Sequence, residues 1–453
     1  MAEETLDTQL EQIRELISSG QVEEATALLV QWHIMDQVEI YYRLDEDERA
    51  LLLPHFDIAS LADLLEEMEN EDVLEAVADF SSEQLANVLD EMEPDEAADL
   101  LGDLPADQAE QVLAQMEEAD DVIPLLGYPD ETAGGLMTTS YIALRRQTTV
   151  KQAINFLRSI SPDIRTPYYL YVVDRSRKLI GVVGLRELVT SPPETTMESI
   201  MVGDVISVQT GTDQEEVARV MTRYDLTAVP VVDSQGVLVG VITYDDIIDV
   251  IEDEITEDVL QQGAIEPAPV IDRPYWSQRF IDVARSRFPW LLFLFIGQTF
   301  TGTIMRAFEN EIQTVVALSF FVPLLIGTGG NAGSQTVATV IRAMALQEIR
   351  PRDVFFVWFR ETRVALLLGS VLGIGAIGWL FFWGIEFPLA MTVGLSMIII
   401  CIWANTVGSL VPILASRLGI DPTLISGPLM STLIDGTGLL IYFALAVLLL
   451  PQL

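Results

Sequence analysis

Two groups of carboxylates in this chain stand where they could hold a cation. Asp435 is the one ionisable residue in the apolar run 425–450, "ISGPLMSTLIDGTGLLIYFALAVLLL". At the centre of a bilayer such a side chain costs roughly 2.5–3.5 kcal/mol to insert. It marks an ion path or a bundle interior by default. A structural pairing with Arg342 or Arg363 would account for it equally in chemistry, though not in position. The second group lies in "DDIIDVIEDEITEDV", where Asp246, Asp249 and Asp253, and then Glu254, Glu257 and Asp258, recur at helical spacing. Like charges three and four residues apart destabilise a helix unless a cation neutralises them. At about 4 Å two carboxylates repel by roughly 4 kcal/mol at an effective dielectric near 20. A solvated helix face would carry the same pattern.

The donors available narrow the chemistry. Cys401 is the single cysteine, and His33 and His55 are the only histidines. No intrachain disulfide and no His-rich centre can form, and any bound metal is held by oxygen, which suits Mg²⁺ or Ca²⁺. Ser-His, Cys-His and His-Glu-x-x-His arrangements are absent, so the residues give no basis for an enzyme. A third motif is "PLLIGTGGNAGSQ" at 323–335. It is read here as an interruption of a membrane helix. Gly327, Gly329, Gly330 and Gly333 would offer backbone carbonyls, and Asn331, Ser334 and Gln335 neutral side-chain oxygens. Irregular backbone at that depth is tolerated where it lines a cavity. Close helix packing is the alternative use of such glycines. No Gly-Lys-Ser/Thr follows, so it is not a P-loop.

Charge is distributed in steps. Residues 1–132 hold 38 acidic and 3 basic side chains, and no Lys or Arg falls between Arg49 and Arg145. Residues 133–260 hold 19 and 11, and residues 261–453 hold 11 of each, for a formal net charge of −43. A surface this acidic repels itself unless cations screen it. It excludes nucleic acid as a partner, because phosphate binding needs Lys and Arg. The N-terminus has neither the basic nor the apolar region of a signal peptide.

Four kinds of element must position these residues. Up to residue 132 the pattern is short helices in a 12-residue repeat, marked by Leu53/Phe56, Leu65/Met68, Val77/Phe80, Leu89/Met92, Leu101/Leu104 and Leu113/Met116. Pro54, Pro94 and Pro105 suit helix starts and oppose one long helix. Stacked units of this kind build a superhelix. From about Gly135 strands alternate with helices. "YYLYVVDRSRKLIGVVGLREL" at 168–188 is echoed by "TAVPVVDSQGVLVGVITYDDI" at 227–247, with Val-Val-Asp and a following Gly repeating after 59 residues. Pro267, Pro269 and Pro274 then break the chain. An amphipathic helix with Arg279, Arg285 and Arg287 leads to five transmembrane helices near 288–309, 314–346, 353–384, 388–415 and 424–450. Arginines cluster before the first of these, around the second loop and in the fourth. The positive-inside rule therefore places the N-terminal half in the cytoplasm and the C-terminus outside.

The two α/β copies resemble a tandem pair of CBS domains, modules that often bind adenine nucleotides. Thr243 and Asp246 fit that family's ribose contact, whereas Gly184 and Glu187 in the first copy fit poorly. The full array resembles the MgtE family of Mg²⁺ channels, and "VPLLIGTGGNAGSQ" and "PLMSTLIDGTGLLIYF" match its membrane motifs. The resemblance implies a multidomain chain: an all-α superhelical N-domain (1–132), an α/β CBS pair (133–200 and 201–260), a connecting plug helix (261–287) and a five-helix pore domain (288–453). It implies a homodimer in a lipid bilayer whose second and fifth helices line one pore. Asp435 and Asn331 then belong to that pore, beside Gly329 and Gly330. Regulatory Mg²⁺ ligands carry over as Asp63, Asp95, Asp99, Glu215, Asp225, Asp246, Asp249, Glu254, Glu257, Asp258 and Asp421, with ATP at the CBS pair. The family often has Asn where Gly427 precedes Pro428.

The expectation is a Mg²⁺ channel for uptake, closed when Mg²⁺ bridges acidic cytosolic domains. The alternatives are a CBS-regulated path for Co²⁺, Ni²⁺ or Mn²⁺, a nucleotide-gated anion channel, and a non-conducting sensor. An anion path would want Lys, Arg or helix N-termini at its centre.

Overall fold

The computed structural model describes residues 2–68, 70–159, 169–267 and 278–451. Tyr168, Pro269, Pro274 and the 268–277 part of the expected connecting helix lie outside them. The chain divides into two compact units, residues 1–252 and 253–453.

The N-terminal helices keep strict time. After α1 (Ala2–Ser18) come α2 (Val22–Leu29), α3 (Ile34–Arg43), α4 (Glu46–Leu52), α5 (Ile58–Glu66), α6 (Asn70–Val77), α7 (Ser82–Leu89), α8 (Pro94–Asp103) and α9 (Ala106–Leu113). From α2 to α9 every helix begins 12 residues after the one before. The repeat thus starts earlier than the Leu/Met pairs suggest. Its punctuation is the N-cap. His33, Asp45, Asp57 and Ser81 each accept a backbone N–H of the helix they precede, and Asp45 and Ser81 complete capping boxes. Capping of this kind satisfies N–H groups that have no partner within the helix. Pro94 opens α8, and Pro105 caps α9. The buried faces carry Leu61, Leu65, Val77, Leu85, Leu89 and Leu101 in one core. Carboxylates tie distant repeats together. Glu66 Oε1 accepts Glu93 N–H at 2.7 Å, and Asp90 accepts the N–H groups of Glu117 and Glu118, before and at the cap of α10 (Ala119–Val122).

The α/β copies are β1 (Ala143–Arg145), α11 (Val150–Ser159), β2 (Tyr169–Val173), β3 (Leu179–Gly184), α12 (Leu185–Thr190) and α13 (Met197–Ile200), then β4 (Val208–Gln209), α14 (Gln214–Tyr224), β5 (Ala228–Val232) and β6 (Leu238–Thr243). Each makes a three-stranded sheet with a parallel first pair and an antiparallel second pair. The 59-residue echo has a structural meaning. Val172 pairs with Gly181, as Val231 does with Gly240, and both ladders shift register at the next residue. A Cβ on Gly181 or Gly240 would run into Met201 or Met137 respectively. The repeated aspartates are turn formers. Asp174 accepts from Ser176 and Lys178 N–H, and Asp233 from Gln235 and Val237 N–H.

α15 (Tyr244–Gln262) carries the whole acidic run in one helix. This corrects the expected boundaries. Gln261 and Gln262 end α15, and 280–287 are the first turns of α16 (Phe280–Ala307), so no separate helix spans 261–287 among the described residues. The stop is local: Ile265 N–H bonds to Leu260 O, with Ala264 at φ 57°. That is a left-handed Schellman closure.

α17 (Glu309–Thr314), α18 (Ala317–Ala345), α19 (Val354–Phe382), α20 (Phe387–Arg417) and α21 (Gly427–Leu449) follow. α16, the stretch Pro351–Phe382, α20 and α21 are long and apolar enough to cross a membrane. α18 is 29 residues long but polar in its middle. It packs on α20 and α21, with Leu325, Val337, Ile341, Ala404 and Ile434 buried. The large apolar side chains of α16 and α19, such as Phe295 and Phe382, face outward.

Candidate ion path and acidic clusters

α18 runs through the Gly-rich motif without interruption. The expected break is therefore corrected: the carbonyls of Gly329 and Gly330 lie within a continuous helix, not exposed to an ion. Gly329, Gly330 and Gly333 serve packing, as small residues do between membrane helices. A Cβ on Gly329 would meet Ile400 and Ile434, one on Gly330 would meet Ser431, and one on Gly333 would collide with Ile434. Asn331 and Gln335 lie on the exposed face of the same helix. Ser334 Oγ donates to Gly427 O at 3.2 Å and stands 3.4 Å from Ser431 Oγ. Gly427 thus contributes its backbone carbonyl to the α18–α21 contact.

Asp435 is half-buried on α21. Its partner is neither arginine: Gln298 Nε2 on α16 donates to Asp435 Oδ2 at 3.1 Å. Arg363 lies over the Phe359 ring instead. A neutral donor leaves the charge of the carboxylate in place and retains oxygen lone pairs for an ion. Gln298 was not identified from sequence. Its signal was the one amide side chain of α16, directly after the apolar run 288–297. Thr437, two residues beyond Asp435, accepts from Trp403 Nε1 at 2.8 Å.

In the N-terminal unit several predicted ligands come together. Asp95 on α8 is buried, and its Oδ1 has no hydrogen-bond partner among the described residues. Burial pushes its carboxyl well up, helped by the nearby charges of Asp246, Glu93 and Glu96. Glu96 is pushed up to about 8 by burial, then by Asp99, Glu66, Asp246 and Glu93. Asp99 is pushed up to about 7 by burial, then by Asp130 and Asp103. It lines a cavity of about 130 Å³ with Asp103, Asp130 and Gly135. Burial also raises Asp246 and Asp249. Desolvation and like charge both favour the neutral form, and a cation would reverse both. Sequence reasoning missed Glu96, Glu66 and Asp130.

Other expected ligands are apart. Glu215 is near the start of α14, and Asp225 is its left-handed C-cap. About 15 Å of helix separates them, too far to share one ion. Asp63 lines a different hollow with Glu66 and Glu67. Glu254, Glu257 and Asp258 lie on α15 in the C-terminal unit. Asp421 accepts Thr423 N–H at 2.8 Å and caps the turn before α21. Thr243 donates to Asp246 Oδ2 at 2.6 Å, so the expected ribose pair also caps the start of α15. Among the described residues no three His, Cys, Asp or Glu side chains converge as a ready metal cage. Mg²⁺, which keeps several waters, suits wider oxygen sets of this sort.

An acidic helical repeat, two sheet-and-helix modules in tandem, and a bundle of apolar helices define a multi-span membrane protein with a large acidic portion outside the bundle. Family models agree in order. "MgtE intracellular N domain" matches residues 32–131, "CBS domain" matches 133–194 and 197–253, and "Divalent cation transporter" matches 322–445. The magnesium transporter MgtE of Enterococcus faecalis is 38% identical over 97% of each chain. That of Thermus thermophilus is 44% identical over 73% of this chain and 72% of its own. The crystal structure of the cytosolic domain of the Mg²⁺ channel MgtE in complex with ATP is 34% identical, with a TM-score of 0.51, and covers 53% of this chain and 99% of that one. The chain belongs to the MgtE family.

Proposed function

We propose that this protein is a Mg²⁺-selective channel for uptake, closed by the ion it conducts. The carrying observation is Asp435, an ionised-type side chain in an apolar helix with a neutral partner. The family's named magnesium transporters support the choice of ion. Two copies would place α18 and α21 of each around one water-filled path, with α18 as the fifth crossing helix, Asn331 and Asp435 facing the ion, and the C-terminus outside. The N-terminal domains are cytosolic. Inner-sphere stripping of Mg²⁺ is slow and costly, so the path would hold a hydrated ion by outer-sphere contacts. The protein is a transporter, not an enzyme.

Closure follows from the acidic clusters. Mg²⁺ held by Asp95, Asp99 and Asp246 offsets the repulsion that burial intensifies, and further ions act at Asp63, Glu215, Asp225, Asp249 and along Glu254, Glu257, Asp258 and Asp421. An ion that binds the compact state better shifts the population toward it. ATP at Thr243 and Asp246 of the CBS pair would add to this control. Patch recording from reconstituted protein, with Mg²⁺ stepped on the face bearing the N-terminal domains, tests the reading. Mg²⁺-selective current that falls as this Mg²⁺ rises is expected. Selectivity for Co²⁺, Ni²⁺ or Mn²⁺ over Mg²⁺ would replace it with the other divalent reading.

A further inference from the structure

The acidic helix reaches the pore helix through an uncharged side chain. Gln261 and Thr423 are both buried. Thr423 Oγ1 donates to Gln261 Oε1 at 2.5 Å. Gln261 Nε2 in turn donates to Glu257 Oε1 one helical turn back. An ionised carboxylate can only accept, so Glu257 turns the amide nitrogen of Gln261 toward itself and the carbonyl oxygen toward Thr423. Thr423 is fixed from the other side, because its N–H is held by Asp421. Three residues on, Ser426 caps α21, the helix that carries Asp435. The end of α15 is held at a second point as well: Glu266 N–H bonds to the carbonyl of the buried Ser286 on α16.

We infer that Gln261 is a positioning residue for gating, which transmits the state of α15 to the N-terminus of α21 through the Glu257–Gln261–Thr423 chain. This rests on the channel reading above and adds a step beyond ion binding itself. The Gln261 and Thr423 side chains are neutral, so neutralising the acidic ligands other than Glu257 leaves their mutual bond intact. Breaking it leaves the ion ligands intact but loosens what they control. A buried hydroxyl and amide that lose each other are left unsatisfied, which is the costly outcome for such groups.

The test uses full-length protein and the variants Gln261→Leu, Thr423→Val, Thr423→Ser and the double Gln261→Leu/Thr423→Val. In patch recordings, each of the first two should raise the Mg²⁺ concentration for half-inhibition by about threefold or more, with unit conductance unchanged. Thr423→Ser keeps the hydroxyl and should match the unmodified protein. The double variant should be no worse than either single one, as expected for residues that act through one bond. A readout without transport accompanies this. Hydrogen exchange at the Gly263, Ala264 and Ile265 amides should speed up about tenfold in Thr423→Val, which lies on a different element. Unmoved half-inhibition in both single variants, additive shifts in the double one, or unchanged exchange would each overturn the role of Gln261. If the unmodified protein shows no Mg²⁺ inhibition while exchange still responds, the gating reading fails and the contact stands.

Discussion

Gln298 on α16 donates its amide to Asp435 on α21 at 3.1 Å, so two helices far apart in sequence meet at the one carboxylate of α21. The consequence separates charge from geometry. Asp435→Asn keeps the size and removes the charge. It should abolish Mg²⁺ uptake, or cut it by at least about tenfold, in a folded protein, since an ionisable side chain in an apolar helix marks the ion path. Gln298→Leu should keep the charge but free its orientation, lowering uptake severalfold and less than Asp435→Asn. Uptake at the unmodified rate in Asp435→Asn proteoliposomes would remove this residue from the path.

The glycines of α18 give a stability prediction instead. A methyl at Gly333 has no room against Ile434, and Gly333 O already lies close to α20. Gly333→Ala should destabilise the bundle by roughly 1–3 kcal/mol, the usual cost of overpacking. Gly327→Ala, which meets open space, should change little. Detergent melting curves for the two variants decide it, and equal midpoints would mean that α18 is not packed as described.

That contrast marks where the sequence was legible. The CBS copies were readable because Val-Val-Asp and a following Gly recur after 59 residues, and Val172/Gly181 and Val231/Gly240 proved to be actual partners. The 12-residue beat was legible for the same reason. Its earlier start could have been read from His33, Asp45 and Asp57, N-caps at the same spacing. The Gly-rich motif was misjudged, because four glycines are compatible with a broken helix and with a tightly packed one. Ile400 and Ile434, remote in sequence, decided between them. The acidic sites were half legible. The family resemblance pointed to Asp95 and Asp99 and helical spacing to Asp246, but the company of Glu96 and Asp130 depends on how α8 is buried. The pair Glu215 and Asp225 could not be separated without knowing that one helix lies between them.

The acidic face of α15 yields a third expectation. Replacing Asp246, Asp249, Glu254 and Glu257 with their amides should leave conduction near normal and weaken inhibition by cytosolic Mg²⁺ by about tenfold or more. Fewer carboxylates means less repulsion for the ion to relieve and fewer ligands to hold it. An inhibition curve superimposable on that of the unmodified channel would return this face to plain solvation.

The buried acids around α8 predict how stability depends on pH. Glu96 at about 8 and Asp99 at about 7 hold their protons far more tightly when folded than carboxylates do in an unfolded chain. The native state therefore binds more protons between the ordinary carboxylate range and about pH 8, and by linkage its stability falls as pH rises through that window. In chelator, the melting midpoint of the N-terminal unit within the full-length protein should drop steadily from about pH 5 to pH 8, with roughly 2–4 °C lost per kcal/mol. Millimolar Mg²⁺ should flatten the slope, because the cation replaces the protons as the neutralising charge, and K⁺ at equal ionic strength should do so much less, since screening does not bridge two carboxylates. Mg²⁺ should also shield the 130–135 segment, which lies beside Asp99, from protease. Asp99→Asn removes one of the charges that must be neutralised, so in chelator it should raise the midpoint at pH 8 more than at pH 5. A midpoint that is flat or rises with pH in chelator, or equal protection by Mg²⁺ and K⁺, would mean that these carboxylates stay solvated and that no ion bridges them.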